Sequence, residues 1–418
     1  MHAPEIIKLH VDERCEYRLR REMPWIFAKH ADFGKATPKA GDLVAVYGKR
    51  NQCIRLGLYD SASPIPVRIL GAPCTFDESY IRDRLAAAVT ARTAMHIAAP
   101  DTNGLRMLSG ESEGLPGLVI DAFAQTWVLK VYSNCWLPYL NEVIAAATAY
   151  GIGNDPIGCS ALDAAYISRP KRIVLRFGRE CLPHYQKAGF AEGSLVFGDD
   201  HTPHAEFLEC GAKFHAQVFK GQKTGFFLDQ RRNRQLIRSL AGGKKVLDIC
   251  CYSGGFSINA AIGGASAVWS LDGDKHALDL VQKHYDLNAD QPGVAAAEHV
   301  LQKCDMFEWL ERAKAKKNRF DLIIADPPSF ASSQAQIPAA EKAYMRLFAA
   351  AADCLVPNGQ ILCCSCSSHI GSEKFASLVE RALKHRTLDA LDYTGLPDDH
   401  VARFAEARYL KAWLLTIK

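Results

Sequence analysis

The chain has 418 residues and a mass of 46.0 kDa, which suits roughly two to four domains. Hydrophobic residues make up 48% and charged residues 23%, which excludes a globally disordered chain, a collagen-like chain and a coiled-coil rod. The formal net charge is +4, and residues 1–72 account for it with 12 Lys and Arg against 8 Asp and Glu.

The chain shows no sign of a membrane span, a signal peptide or a metal site. No apolar run approaches the roughly 18 residues of a membrane span, and the first five residues lack the order of a signal peptide. The 14 cysteines have no repeating spacing, and no second pair or His cluster completes a zinc site with Cys363 and Cys366. We therefore expect a cytoplasmic protein with reduced cysteines, no membrane association and no metal.

Residues 1–72 predict a small, basic β domain. Short alternating strands surround one basic helical stretch, Glu16–Arg21. Gly71-Ala72-Pro73, which combines Gly and Pro, predicts the boundary of this domain. Arg20 and Arg21 are candidate contacts for RNA phosphates, and an ordinary solvated surface explains them equally well.

Residues 73–215 predict an α+β middle domain. A helix is expected over Asp77–Ala99, strands over Leu118–Asp121 and Thr126–Tyr132, and a second helix over Leu137–Tyr150. The turn-rich segment Gly110–Gly117 links the first helix to the strands.

Residues 216–418 alternate strands with helices, which predicts an α/β fold with a parallel, doubly wound sheet and helices on both faces. The expected strands are Lys245–Cys250, Ala267–Asp272, Phe320–Asp326, Gln360–Ser365 and Tyr409–Ile417. The expected helices are Gln230–Ala241, Gly255–Ile262, Lys275–Asn288, Ala339–Cys354 and Glu373–His385.

Acidic residues stand at the ends of successive apolar segments of this sheet, where ligands of such folds bind. They are Asp248, Asp272, Asp305 and Asp326. A nicotinamide dinucleotide would need a Gly-x-Gly-x-x-Gly turn for its pyrophosphate, whereas the first strand here leads into Gly254-Gly255 with no third glycine. The cationic cofactor S-adenosylmethionine suits the acids better, with Asp248 at its amino-acid end, Asp272 at its ribose and Asp305 at its adenine. Helix capping is the ordinary alternative for each of them.

Asp326-Pro327-Pro328 follows the fourth strand and predicts a substrate surface. The two prolines remove backbone donors and leave carbonyls free to face a planar base, although they also suit a simple strand end. Cys366 follows the next strand in a polar Ser-Cys-Ser turn and should overhang the same pocket. Methylation of carbon 5 of a pyrimidine needs such a nucleophile, because thiolate attack at carbon 6 activates carbon 5. Most cysteines are simply small buried side chains.

Several motifs together resemble the large-subunit ribosomal RNA cytosine-C5 methyltransferases, a class I S-adenosylmethionine-dependent family. They are Lys223–Arg231, Tyr252–Phe256, Asp326–Phe330 and Ser365–Ser367, with Gly110–Gly117 similar to the family's middle domain and Leu19–Phe27 and Gly57–Ser63 similar to its RNA-binding PUA domain. The resemblance covers essentially the whole chain. It implies a C-terminal Rossmann-like methyltransferase sheet, an N-terminal PUA domain and an α+β middle domain.

The resemblance also implies roles for single residues. Cys366 would be the nucleophile and Asp326 would contact the cytosine, with Ser329 standing where other cytosine-C5 families carry a second cysteine. The expected cofactor-binding residues are Lys223, Thr224, Phe227, Gln230, Asp248, Tyr252, Ser253, Gly254, Asp272 and Asp305. The expected substrate-binding residues are Pro327, Pro328, Arg231, Arg20 and Arg21.

Three alternatives remain open from the sequence. Relatives with the same Asp-Pro-Pro turn methylate a ring or amino nitrogen of guanine or adenine and lack the Ser-Cys-Ser cysteine. A non-catalytic RNA-binding assembly factor would keep the fold without turnover, and a dehydrogenase is disfavoured by the glycine turn. Ribosomal RNA is the expected partner and a homodimer is compatible with the sequence.

Overall fold

The computed structural model describes residues 6–61, 63–152, 167, 169–331, 333–386 and 388–418, with the backbone alone for 388–394. The chain divides into two compact units. The first comprises residues 1–209, 216–228 and 398–407, and the second comprises 210–215, 229–397 and 408–418. The domain boundaries expected at 72/73 and 215/216 stay predictions.

A five-stranded sheet opens the first unit, in the order β1-β3-β4-β5-β2. Its elements are β1 (Ile6–His10), α1 (Glu13–Arg20), β2 (Trp25–Ile26), β3 (Leu43–Tyr47), β4 (Cys53–Tyr59) and β5 (Val67–Gly71). Strand β1 alternates exposed and buried residues, as expected when one face of a strand covers a core. Helix α1 begins after Asp12, whose carboxylate accepts from the Cys15 N–H at 2.7 Å.

A second five-stranded sheet, in the order β10-β9-β8-β7-β6, builds the rest of the first unit's core. Its elements are α2 (Glu78–Ala98), β6 (Gly104–Ser109), β7 (Leu118–Phe123), β8 (Thr126–Val131), α3 (Leu140–Gly151), β9 (Arg172–Phe177), α4 (Leu182–Lys187) and β10 (Ser194–Phe197). Helix α2 begins after Asp77, as the sequence predicts, and buries Leu85 and Val89. Strands β11 (Ala205–Glu209) and β12 (Ala212–Ala216) follow.

The second unit is built on a seven-stranded sheet, in the order β15-β14-β13-β16-β17-β19-β18. Its strands are β13 (Lys245–Ile249), β14 (Ala267–Asp272), β15 (Glu298–Lys303), β16 (Phe320–Ala325), β17 (Leu355–Ser365), β18 (Leu388–Thr394) and β19 (Lys411–Ile417). Its helices are α5 (Arg231–Leu240), α6 (Gly255–Ile262), α7 (Lys275–Leu287), α8 (Pro292–Ala296), α9 (Met306–Ala315), α10 (Ile337–Ala352) and α11 (Ser372–Ala382). This arrangement confirms the predicted α/β fold class.

The sheet is parallel from β15 to β17, but its last strands differ from the prediction of a fully parallel sheet. Strand β19 runs antiparallel to both β17 and β18. An antiparallel strand can return beside its neighbour without a crossover helix, so the strand–helix alternation that predicts parallel pairs does not extend to it. The direction of β19 brings its first residue, Lys411, opposite Ser365 at the end of β17.

The strand order reverses between β13 and β16, which pair in parallel in the middle of the sheet. In open α/β sheets such a reversal leaves a crevice at the carboxyl ends of the strands, where ligands bind. The acids and the cysteine singled out from the sequence lie at or near these strand ends. No helix within the described ranges is long and apolar enough to cross a bilayer.

Candidate active site

A tight turn joins β13 to α6, and its backbone is unusual. Cys250, Tyr252 and Gly254 all have left-handed φ angles, of 61°, 49° and 75°. A Cβ atom on Gly254 would lie 2.8 Å from Cγ1 of Val281 in α7. Gly254 is therefore required both by its backbone conformation and by the close approach of α7.

Asp248, in β13, is a buried acid with one oxygen available. Its Oδ2 accepts from the backbone N–H of Ser257 at 3.0 Å and from the Ser257 hydroxyl at 2.6 Å. Its Oδ1 is buried and has no hydrogen-bond partner among the described residues. Burial raises the pKa of this carboxyl to about 7, although the two Ser257 bonds oppose the shift. An unsatisfied buried oxygen suits a ligand that brings a positive charge or a donor.

Asp272, at the end of β14, organises the turn after β13. Its Oδ2 accepts from the Tyr252 N–H and its Oδ1 from the Asp274 N–H, both at 2.9 Å. Each carboxylate oxygen has a further lone pair, so both can still accept from a pair of ligand hydroxyls. The arrangement is compatible with the predicted ribose contact.

Ser253 is held by a histidine that sequence reasoning did not single out. His284 of α7 is fully buried; its Nδ1 lies 2.7 Å from the Ser253 carbonyl oxygen, and its Nε2 accepts from the His215 N–H at 2.9 Å. Nδ1 is therefore the protonated nitrogen, because Nε2 is an acceptor. Burial lowers the pKa of His284 to about 4, so the ring is neutral near pH 7. It locks the turn onto α7.

Asp305 acts as a helix cap in the structure. Its Oδ1 accepts from the backbone N–H groups of Phe307 and Glu308 at 2.9 and 3.0 Å, at the start of α9. The side chain is exposed and follows β15. The ordinary alternative considered from the sequence is therefore present, and the adenine contact stays a prediction.

Asp326 and Cys366 follow the neighbouring strands β16 and β17. Ala325 is opposite Cys363 in the parallel register, so Asp326 and Cys366 follow strand ends at the same edge of the sheet. Burial raises the pKa of the Cys364 thiol and of the Tyr344 hydroxyl, and the charges of Asp326 and Cys366 both add to these shifts. The Cys366 side chain is half-buried.

The loops that carry these two residues are tied together. The Ser367 hydroxyl donates to the Ala331 carbonyl at 3.1 Å, and the Ser329 hydroxyl donates to the same oxygen at 3.1 Å. In the core below, the Ser365 hydroxyl donates to the Tyr344 hydroxyl oxygen at 2.9 Å. The relative position of acid and thiol is thus fixed by side chains as well as by the sheet.

The other two cysteines of this run, which lie in β17, differ from Cys366 in burial. Cys363 and Cys364 are fully buried, and burial raises the pKa of both thiols. They therefore remain protonated near neutral pH, whereas a nucleophile must reach the thiolate form and the substrate. Cys366, the third cysteine of the run, is the one that emerges from the core.

Gln230, at the start of α5, contacts the acid directly. Its Nε2 donates to Asp326 Oδ2 at 2.9 Å, and its side chain also hydrogen-bonds the Cys364 thiol. The preceding residue, Asp229, accepts from the Tyr409 hydroxyl at 2.6 Å. Gln230 was predicted from the sequence to contact the cofactor, and the structure shows it orienting the acid.

Pro327 and Pro328 form the turn after Asp326. Pro327 is buried and Pro328 is exposed, so the second ring is the one accessible to a substrate. The Phe330 ring packs on Tyr344 with centroids 4.8 Å apart, which anchors the end of the turn. The substrate contacts of both prolines stay predictions.

Lys223, Thr224 and Phe227 belong to the first unit. The Thr224 hydroxyl donates to Asp121 Oδ2 at 2.5 Å, and the Lys223 ammonium lies 4.8 Å from the centroid of the Phe227 ring. Lys223 also has a left-handed φ of 49°, and its carbonyl accepts from Lys130 Nζ at 2.6 Å. This segment is firmly held within its own unit, and its cofactor contacts stay predictions.

The arginines predicted to contact RNA differ in their surroundings. Arg20 is exposed and donates to Glu16 Oε1 through Nε and Nη2, at 2.9 and 2.7 Å. The Arg21 guanidinium lies 4.5 Å from the centroid of the Tyr17 ring, and Arg231 opens α5. Their RNA contacts stay predictions.

Lys411 is the functional candidate that sequence reasoning missed. It is 2% exposed, and its Nζ donates to the carbonyl oxygens of Ser367 and Ile370 at 2.6 and 2.8 Å. The available signal was a lysine in the apolar run of β19, Lys411–Ile417. No group of three or more His, Cys, Asp or Glu suited to a metal occurs among the residues that the structure describes.

Comparisons with known proteins agree with this geometry. A family model for an S-adenosylmethionine-dependent methyltransferase matches residues 194–412, and one for a PUA-like domain matches residues 9–71. The ribosomal RNA large subunit methyltransferase of Deinococcus radiodurans is 36% identical and covers 99% of this chain and 98% of its own. Ribosomal RNA large subunit methyltransferase I of Aeromonas salmonicida is 30% identical, with 95% and 96% covered.

Solved structures agree on the fold. A protein assigned as a methyltransferase and complexed with SAH gives a TM-score of 0.82 at 20% identity, covering 98% of this chain and 100% of that chain. One from Streptococcus mutans, assigned as an S-adenosylmethionine-dependent methyltransferase, gives 0.81 at 20% identity with the same coverage.

The residues at the sheet edge fit S-adenosylmethionine as cofactor. Asp248 offers an unsatisfied oxygen to a cationic ligand, and Asp272 offers lone pairs to hydroxyl groups. With a family model that covers more than half of its residues, the chain belongs to the S-adenosylmethionine-dependent methyltransferases.

Proposed function

We propose that this protein methylates carbon 5 of a cytosine in large-subunit ribosomal RNA through a covalent intermediate on Cys366. The choice of RNA is supported by relatives of nearly full length that are named as ribosomal RNA large subunit methyltransferases. The choice of carbon 5 is supported by one observation above all. Cys366 emerges from β17 beside Asp326, while Cys363 and Cys364 remain in the core.

The first chemical step belongs to Cys366. Its thiolate sulfur bonds to carbon 6 of the cytosine, and the electrons of the 5,6 double bond move toward carbon 5, which becomes nucleophilic. S-adenosylmethionine, when bound, supplies the methyl group as an electrophile. A base then takes the proton from carbon 5, the double bond is restored as the carbon–sulfur bond breaks, and Cys366 leaves as a thiolate.

Asp326 would orient the base. Gln230 donates to one carboxylate oxygen, Oδ2. On protonation the acid can donate to ring nitrogen 3 of cytosine, and as a carboxylate it can accept from the exocyclic amine. Either contact uses the Watson–Crick edge of the cytosine, which is accessible only when the base is flipped out of the stacked RNA.

Cofactor binding is proposed for the turn between β13 and α6. Asp248 would meet the amino-acid end and Asp272 the ribose, with Tyr252, Ser253 and Gly254 shaping the turn. The support is Asp248 Oδ1, which has no hydrogen-bond partner among the described residues, and the carboxylate of Asp272, which accepts from two backbone N–H groups of the turn.

RNA binding is proposed for the PUA-like domain of residues 9–71. Helix α1 ends in the exposed Arg20, which pairs with Glu16, and the next residue, Arg21, stacks on Tyr17. Basic side chains next to an aromatic ring suit an RNA backbone with an unstacked base.

The proposal is tested by supplying methyl-labelled S-adenosylmethionine and unmodified large-subunit RNA, both free and within ribosomal subunits, and then separating the nucleosides. We expect label in 5-methylcytidine with the wild type and its loss with Cys366→Ala. The matched control is Cys364→Ala, which removes a fully buried thiol two residues earlier and should keep the activity.

Label in an N-methylated purine that does not depend on Cys366 would contradict the proposed chemistry. A lack of label in both free RNA and subunits would contradict the proposed substrate.

A further inference from the structure

Lys411 lies at the turn that carries the proposed nucleophile. It is the first residue of β19 and is opposite Ser365, the last residue of β17. Its Nζ donates to the carbonyls of Ser367 and Ile370, at 2.6 and 2.8 Å, which bracket the segment immediately after Cys366. A single side chain therefore holds the backbone of residues 367–370 by two hydrogen bonds.

The electrostatic situation of Lys411 is unusual for a lysine. It is 2% exposed, and no carboxylate pairs with it among the residues that the structure describes. Buried charges in proteins are generally paired, because desolvation is costly. Burial lowers the pKa of Lys411 to about 8, and the charge that opposes this shift is that of Cys366.

A thiolate at Cys366 would be destabilised by a negatively charged neighbour. Asp326, after β16, and Cys366 act on the same neighbours, so the carboxylate disfavours a thiolate beside it. Tyr344 of α10 and Cys364 of β17 have pKa values that burial raises, so both stay neutral. His369, in the same turn, is exposed to solvent. Lys411, from β19, supplies the positive charge on the buried side.

The number of N–H groups agrees with this role. An ammonium has three donors, and the two carbonyls use two of them. One N–H therefore remains for a further acceptor. Carbonyl oxygens alone would satisfy a buried neutral amine, but they give no reason for placing an ionisable group beside a nucleophile.

We propose that Lys411 is a positioning residue for Cys366, which holds the 366–370 turn and stabilises the thiolate that attacks the substrate. The inference deepens the proposed function and rests on it for the use of that thiolate. Ionisation of the thiol releases its proton to water, and the ammonium–thiolate pair then remains until the sulfur bonds to carbon 6. If Lys411 only held the turn in place, its charge would have no effect on the ionisation of the Cys366 thiol.

The test measures how readily Cys366 ionises in the full-length protein. Wild type and variants are alkylated with iodoacetamide between pH 5.5 and pH 9.5, and fragmentation of the digested peptide separates Cys366 from Cys363 and Cys364. In Lys411→Met we expect the midpoint of alkylation to rise by about one pH unit, which slows alkylation near pH 7 by about tenfold. Lys411→Arg, which keeps the charge, should remain near the wild type.

Two further variants distinguish the effect of the Lys411 charge from that of its hydrogen bonds to the turn. Lys411→Gln keeps an N–H₂ group for the carbonyls but has no charge, so its midpoint should rise as well. Lys244→Met is the matched control. Lys244 is a partly buried lysine whose Nζ donates to Gln360 of β17 at 2.7 Å, far along the strand from Cys366. Its profile should match the wild type.

Binding of S-adenosylhomocysteine shows that each variant is folded, and Lys411→Gln provides the comparison if Lys411→Met does not bind. If a folded variant without a charge at residue 411 has the same midpoint of Cys366 alkylation as the wild type, the inference is overturned. Alkylation requires neither RNA nor methyl transfer. Failure of the proposed function appears separately, as methyl transfer that persists in Cys366→Ala.

Discussion

The buried carboxyl of Asp248 shows how a single residue can be tuned for a charged ligand. Burial raises its pKa to about 7, while Ser257 donates to one oxygen and the other has no partner in the part of the chain that the structure describes. A cationic ligand at the unpaired oxygen would favour the carboxylate form and reverse part of the shift. The proposed cofactor site therefore has a protonation step built into it.

Replacement of Asp248 by Asn should weaken S-adenosylmethionine binding by about tenfold at pH 7.5 and remove part of its pH dependence. Wild-type affinity should fall as the pH drops from 7.5 to 6, because the carboxylate with a pKa of about 7 becomes protonated. Titration calorimetry at both pH values gives the comparison.

The amino group of the ligand titrates identically with both proteins, so the difference between their pH profiles reports Asp248. Parallel profiles for wild type and Asp248→Asn would show that this carboxyl does not meet the charged end of the cofactor.

Single residues also mark the limit of sequence reasoning. The Cys366 and Asp326 pair could be singled out because a cysteine in a polar turn and an acid before two prolines are chemically distinctive. Asp305 could not be resolved in the same way, since an acid at the start of a helix caps it whatever else it does. Lys411 was missed because its partners are backbone carbonyls, which leave no pattern in the sequence.

At the scale of elements, the turn after β13 depends on α7. His284 bonds the Ser253 carbonyl, and Val281 of the same helix packs where a Cβ of Gly254 would be. The sequence predicts both the helix and the turn, but not the contact between them. A histidine in a helical segment does not indicate which group its ring will contact. The shape of the cofactor turn is therefore a property of two elements together.

Replacement of His284 by Gln should reduce the loss of stability in acid. Folded His284 has a pKa of about 4, below its ordinary value of 6.5, so the unfolded state binds an extra proton between these values. Stability from this residue is present above pH 6.5 and is lost as the pH falls toward 4, by at most about 3 kcal/mol.

Urea unfolding at pH 7 and pH 4.5 measures the effect, and the glutamine amide keeps one donor and one acceptor without titrating. The free energy of unfolding should fall less in the variant than in the wild type. An equal fall in both proteins would mean that His284 is not neutral in the folded state.

Element boundaries were predicted well where buried strands and capped helices leave periodic patterns. Strand β14 has the predicted limits, Ala267–Asp272, and α2 lies within Asp77–Ala99. Helix α9, Met306–Ala315, was not among the predicted helices. The antiparallel direction of β19 depends on pairing between distant segments, which local patterns do not encode.

At the scale of the whole molecule, a PUA-like domain and a methyltransferase region occur in one chain. Membership of the methyltransferase family rests on the family model over residues 194–412 and on a relative that is 36% identical over 99% of the chain. The proposed choice of carbon 5 depends on far less, namely the emergence of one cysteine beside one acid. The covalent intermediate on Cys366 is therefore the claim that most needs a direct test.

The most direct measurement uses large-subunit RNA that contains 5-fluorocytidine, together with S-adenosylmethionine. Fluorine on carbon 5 cannot leave in place of the proton, so an adduct formed by Cys366 at carbon 6 should persist. We predict a protein–RNA complex that survives denaturation in SDS with wild type and Cys364→Ala, and none with Cys366→Ala. A complex that persists in Cys366→Ala, or none with a wild type that methylates unmodified RNA, would contradict the covalent mechanism.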